Sequence, residues 1–121
     1  MYFTSQEKQA IVKVAAAMQA ADGKSDPREF VLNATIFKKL EIGGDDFNGA
    51  KNLSLLQAAS IIANMTSSEK EFISAFLGSI IVADGDIDDK EIALWRLLTS
   101  LCEFPTMSLS DATKTLQKYM K

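Results

Sequence analysis

Two stretches of this chain carry one pattern, A-D-G-x-x-D-x-x-E, and they lie 62 residues apart. The first is Ala21-Asp22-Gly23-Lys24-Ser25-Asp26-Pro27-Arg28-Glu29, and the second is Ala83-Asp84-Gly85-Asp86-Ile87-Asp88-Asp89-Lys90-Glu91. The same offset pairs Thr4 with Thr66, Ser5 with Ser67, Glu7 with Glu69, Lys8 with Lys70, Ile11 with Ile73, Leu32 with Leu94 and Glu41 with Glu103. This makes 12 identities between residues 4–41 and 66–103 without a gap. They fall at helix starts, at the turn and at apolar positions, which marks an internal duplication rather than a chance alignment. Each copy reads as one helical hairpin, with 42–65 as the connection between them and 104–121 as a tail.

The pattern around the turns is helical. Thr4-x-x-Glu7 is a capping box, and only Lys13 and Gln19 are polar between Ala10 and Ala21, as expected of a helix buried on most sides. Gly23 supplies the left-handed residue that ends helices, and Asp26-Pro27 reads as N-cap followed by proline at the first helical position. Glu29 sits where a second capping box would be completed. The next helix carries Phe30, Ala34, Phe37 and Leu40 at helical spacing and stops at Gly43-Gly44. Asp45-Asp46 opens a short helix to about Lys51, and Ser54-x-x-Gln57 caps another that runs to about Asn64.

Thr66-x-x-Glu69 repeats the opening, and the run from Phe72 to Ala83 is broken only by Ser74, Gly78 and Ser79. Its seven large apolar side chains are worth on the order of 10–20 kcal/mol if fully buried, an upper bound that predicts a central helix. Asp88-x-x-Glu91 opens the following helix, with Ile92, Leu94, Trp95, Leu98, Leu101 and Cys102 as its apolar set. Pro105 ends it. Ser108-x-x-Asp111 starts a last helix with Leu109, Ala112, Leu116, Tyr119 and Met120 on one face. No stretch shows sustained period-two alternation. The expected fold is all-α, a single domain of six or seven helices over residues 1–121, with short connections between antiparallel neighbours.

Composition excludes several function classes. There is no histidine, so Ser-His and Cys-His nucleophilic pairs and histidine-ligated metal sites are absent. A net charge of −3 with scattered Lys and Arg gives no nucleic-acid footprint. The longest apolar stretch is about a dozen residues, too short to span a bilayer. The N-terminus lacks the charged and apolar regions of a secretory leader. The single cysteine, Cys102, has no internal disulfide partner and suits a reducing, cytoplasmic setting as a small core residue.

The acidic turns admit two readings. In one, the glycines terminate helices, Asp26 and Asp88 are N-caps, and Glu29 and Glu91 complete capping boxes, each cap worth about 1 kcal/mol. Asp22 and Asp84 fit that reading poorly, because the helix dipole disfavours a carboxylate at a C-terminal end. An Asx-type turn is one explanation for them. A cation is the other, since carboxylates of this kind suit Ca²⁺ or Mg²⁺. The richer candidate is Asp84, Asp86, Asp88 and Glu91, and the weaker one is Asp22, Asp26 and Glu29, where Lys24 replaces Asp86. The turn is not an EF-hand loop, because its sixth position is Asp89 and its twelfth is Trp95. Trp95 reads as core. Glu41 and Glu103 read as solvated helix ends that could also line a groove.

At the paired turns, with the lead-in Met65-Thr66-Ser67-Ser68-Glu69-Lys70-Glu71-Phe72 and the block Ile81-Val82-Ala83-Asp84-Gly85, the chain resembles the TerB-like tellurite-resistance family over about residues 4–104. The resemblance implies an all-helical domain of pseudo-twofold duplicated hairpins. It also implies acidic clusters that bind a divalent cation, at positions matching Asp22, Asp26, Glu29, Asp84, Asp88 and Glu91. The family's roles lie in metal or chemical stress responses, through protein complexes near a membrane. The expected function is accordingly a small cytoplasmic interaction module, with protein partners of unspecified identity and a cation at the acidic turns. The alternatives are a cation-free adaptor whose turns are only caps and, more remotely, a metal-dependent hydrolase, for which no base or phosphate-binding loop is present.

Overall fold

Seven α-helices follow one another in the computed structural model, which describes residues 1–23, 26–83 and 85–121. They are α1 (Ser5–Ala20), α2 (Pro27–Lys39), α3 (Gly44–Ala50), α4 (Leu55–Ala63), α5 (Ser67–Val82), α6 (Asp89–Leu101) and α7 (Leu109–Tyr119). No strand forms among the described residues.

The duplication is visible at the level of single hydrogen bonds. Helices α1 and α5 have 16 residues each, and α2 and α6 have 13 each. The Thr4 and Thr66 hydroxyls accept the Glu7 and Glu69 N–H groups, both at 3.2 Å, and the two Glu carboxylates accept the Thr N–H groups in return. Asp26 and Asp88 cap α2 and α6 by accepting the N–H groups of Arg28 and Lys90, both at 2.7 Å. Gly23 and Gly85 take φ of 73° and 76°, a region open to glycine at little cost.

The helix ends repeat as well. Glu41 and Glu103 adopt φ of 58° and 57°, and the following N–H groups of Ile42 and Phe104 reach back to the Phe37 and Thr99 carbonyls at 2.9 and 3.0 Å. This is the Schellman arrangement, with a glutamate where glycine is usual. It gives a structural reason for the recurrence of Glu41 and Glu103.

Helix α5 is the centre of the fold. Every side chain from Phe72 to Ile81 is buried, the polar Ser74 and Ser79 included. Ser79 returns its hydroxyl to the Ala75 carbonyl at 2.7 Å, satisfying itself within the helix. Helix α1 lies against α5 and is itself covered by α3 and α4, while α7 covers α5. The pairs α1–α3 and α5–α7 exchange under the duplication, as do α1–α6 and α5–α2. Two hairpins related by an approximate twofold exchange contacts in this way.

Two expectations need correction. Glu29 and Glu91 do not complete capping boxes. They turn inward and are buried, at 1% and 0% exposure, while Asp26 and Asp88 cap the second N–H rather than the third. The apolar face of α2 is also only partly its core face, since Leu40 is buried and Phe37 packs on the core while the rest of that face is open. Glu29, Asn33, Ile36 and Leu40 are buried, whereas Phe30 is 66% exposed and Ala34 lies open. Burial in α2 follows the side that faces α5 and the turn, and polar residues occupy part of it.

Candidate functional site

The acidic turns were the first candidates from the sequence. In the first copy Asp22 and Asp26 are half-buried and Glu29 is buried. The Arg28 guanidinium bonds the Asp26 carboxylate at 3.0 and 3.2 Å. With the Arg28 N–H it holds that carboxyl below the ordinary aspartate range. In the second copy Asp86 is exposed, Asp88 is half-buried and occupied as an N-cap, and Glu91 is buried. Asp84 lies outside the described residues. Asp22, Glu29, Asp86 and Glu91 all have interaction partners. Among the described residues, no three His, Cys, Asp or Glu side chains gather closely enough to hold a metal ion.

A second site was not anticipated. A cavity of about 520 Å³ opens between α1, α2 and the start of α3, within the size range of ligand pockets. Val12, Ala16 and Gln19 line it from α1, and Phe30, Asn33, Ala34, Phe37 and Lys38 from α2. Ile42 and Phe47 complete the lining. The walls are mainly hydrocarbon and aromatic, and Lys38 is the single charged side chain among these lining residues. Phe37 is fixed by edge-on contacts with Phe47 and Phe76, at centroid separations of 5.4 and 6.0 Å. Phe30 and Phe47, 66% and 40% exposed, stand at the mouth together with exposed Val31 on the same helix as Phe30. Helix α2 is thus anchored through Phe37 on α5 and stands off α1, leaving the groove between them.

Polar chemistry in the groove is sparse and specific. Asn33 is buried, and its Nδ2 donates to Gln19 Oε1 at 2.9 Å. Its Oδ1 is out of contact with solvent and accepts no hydrogen bond. A buried amide oxygen without a donor costs roughly 1–3 kcal/mol, a local cost carried by the buried face of α2. The arrangement can bind an apolar group. It offers no nucleophile, general base or oxyanion donor set.

Cys102 behaves as expected of a core residue. It is fully buried, and desolvation pushes its thiol up to about 12, so it is a packing atom rather than a nucleophile. No helix among the described residues is long and apolar enough to cross a membrane.

No family model matches the chain, and no curated protein matches it. Among solved structures it is similar to the crystal structure of PG1108, a protein of unknown function from Porphyromonas gingivalis W83, at 36% identity and a TM-score of 0.82. The match covers 97% of this chain and 92% of the other. Identity at that level over nearly the whole length shows common descent as well as a common fold: the chain belongs to the same family as PG1108.

Proposed function

We propose that this protein is a TerB-like interaction module, not an enzyme, and that it binds a partner's apolar side chains in the groove between α1, α2 and α3. The observation that carries this reading is the groove itself. Its aromatic wall is anchored on the core while Phe30 and Val31 stand 66% and 64% exposed beside it. Contiguous apolar surface of this kind marks interaction sites. The motif resemblance adds the family's role in stress-response complexes. A benzophenone attached at Ala34→Cys tests the proposal in cells, because Cys102 is buried and the new thiol is the one that labels. A discrete adduct from Ala34→Cys, missing when the probe sits at exposed Lys114→Cys on α7, is the expected result. Equal labelling from both positions, or none from Ala34→Cys, would remove the groove as a binding surface.

A second reading, cation binding at the second acidic turn, is favoured by the density of carboxylates there, with Asp84, Asp86, Asp88 and Glu91 close together in the sequence. Oxygen ligands of this kind suit Ca²⁺ or Mg²⁺. Calorimetric titration of chelator-treated protein with Ca²⁺, Mg²⁺ and Mn²⁺ decides this. Saturable heat that disappears in Asp84→Ala supports a cation-coupled module. Absence of binding at millimolar cation leaves the turns as helix caps.

A further inference from the structure

The hairpin plan makes a groove twice and lines it differently each time. At the equivalent place of the second hairpin stands a pocket of about 380 Å³, in which Ile92, Trp95, Arg96 and Thr99 hold the positions of Phe30, Asn33, Ala34 and Phe37. A guanidinium and a hydroxyl there correspond to a methyl and a phenyl ring in the first copy. The fold therefore does not require the first groove to be apolar, and exposed apolar surface that the fold does not require marks a binding face.

The first groove is also elongated and unsymmetrical. Its lining runs from Val12 to Gln19 on α1 and from Phe30 to Lys38 on α2, about 10 and 12 Å at 1.5 Å per residue. That is about two helical turns. Near the turn joining α1 to α2 it is bordered by Phe30, and towards the C-terminal end of α2 by Lys38. Lys38 is exposed and has no ion-pair partner among the described residues.

From these observations, and resting on the groove reading above, we infer that the first copy's groove seats an amphipathic helix of a partner protein. Two bulky apolar side chains of that helix, one turn apart, enter the groove, and a glutamate or aspartate a further turn along meets Lys38. Phe30 and Lys38 are eight residues apart, so a helix laid along α2 brings its own residues i and i+8 opposite them, with i+4 between. The single cation at one end fixes which end of the partner carries the acid. Phe30 and Val31, exposed beyond the cavity, are covered by a second helix and not by a small molecule that fills the cavity alone.

The test is an NMR titration of ¹⁵N-labelled wild-type protein with alanine-rich peptides of about 18 residues, long enough to be helical on their own. One carries Leu and Phe at i and i+4 with Glu at i+8, and a second carries the same residues in reverse order. A third replaces Glu by Gln, a fourth has Pro between the anchors, and dodecanoate is the small amphiphile. The tighter of the two Glu peptides is expected to shift the lining amides of α1 and α2 saturably and to leave those of Arg96 and Thr99 unmoved. Its Gln version is expected to bind about 2- to 5-fold more weakly, the usual worth of an exposed ion pair, and Lys38→Gln to erase that difference. Ala34→Arg, which sets the second copy's residue at an exposed position of the first groove, is expected to abolish binding. Equal binding of the Glu and Gln peptides would overturn the acidic feature, and equal binding of the Pro peptide would overturn the helix; both leave the groove reading standing. Dodecanoate shifting these amides where no peptide does would overturn a protein occupant and the interaction-module reading with it. Saturable shifts from no peptide, in a protein that still gives the Ala34→Cys adduct in cells, would overturn this inference alone. Loss of both would overturn the groove as well.

Discussion

Trp95 and Asn33 occupy one position in two copies of the same hairpin, and the contrast between them sets how each flanking helix is held. Trp95 is buried against α5 and bonded to the Ser74 carbonyl, so Trp95→Ala leaves a cavity in the core. The expected loss is about 3–5 kcal/mol, measured by urea denaturation. A loss under about 1 kcal/mol would mean that the indole is not the stitch between α5 and α6. Glu41 and Glu103 are a second pair read at this scale. Each pays a steric penalty in the left-handed region that glycine escapes, so Glu41→Gly and Glu103→Gly are each expected to stabilise by about 0.5–1 kcal/mol. Equal or lower stability would show that their side chains hold something the Schellman geometry does not explain. Cys102 gives a pH test. Its thiol is raised to about 12 when folded against an ordinary value of 9.0, so the stability tied to the neutral thiol is complete below pH 9 and is lost as pH rises from there towards 12. Alkylation at pH 8 is accordingly expected to track unfolding, and fast labelling of the native protein would contradict the burial.

At the scale of elements, the helices whose sequence was easiest to read are those that need no choice of face. Helices α1 and α5 are apolar nearly all round; α5 is buried from Phe72 to Ile81, and α1 through Ala10, Ile11, Val12, Val14, Ala15 and Met18. The capping boxes at α1, α4, α5 and α7 formed where their Ser or Thr and Glu, Gln or Asp spacing placed them. Helix α2 could not be read in this way. Its apolar residues, Phe30, Ala34 and Phe37, line an open groove, and its buried face contains Glu29 and Asn33. A periodicity argument assumes that apolar side chains seek the core, and it fails where a protein keeps an apolar face for something else. A signal of the looser attachment of α2 was present in the duplication. Aligning the copies puts Asn33 opposite Trp95 and Ala16 opposite Gly78, a missing ring over a position that kept its methyl. Lacking that ring, α2 is expected to open at lower free energy than α6, with faster amide hydrogen exchange along α2 under native conditions. Equal protection in the two helices would contradict the looser attachment.

For the molecule as a whole, the duplication accounts for the architecture with few further assumptions. One hairpin plan, used twice at a spacing of 62 residues, gives two buried helices side by side, two flanking helices capped by aspartate, and two acid-bearing turns. The architecture was legible because caps, glycines and apolar runs are local signals. The inward turn of Glu29 and Glu91 was not, because a glutamate three residues after an aspartate is equally compatible with a capping box and with burial; tertiary packing decides. The site was hidden for a related reason, since a groove is a property of how two helices stand apart. The account's central claim is that binding resides in the groove of the first copy and not in the acidic turns. The most direct measurement is partner cross-linking in cells from a benzophenone at Ala34→Cys, compared in three backgrounds: no other change, Phe30→Asp and Asp84→Ala. The account predicts an adduct that is lost with Phe30→Asp and kept with Asp84→Ala. An adduct kept with Phe30→Asp and lost with Asp84→Ala would contradict it and place recognition at the acidic turn.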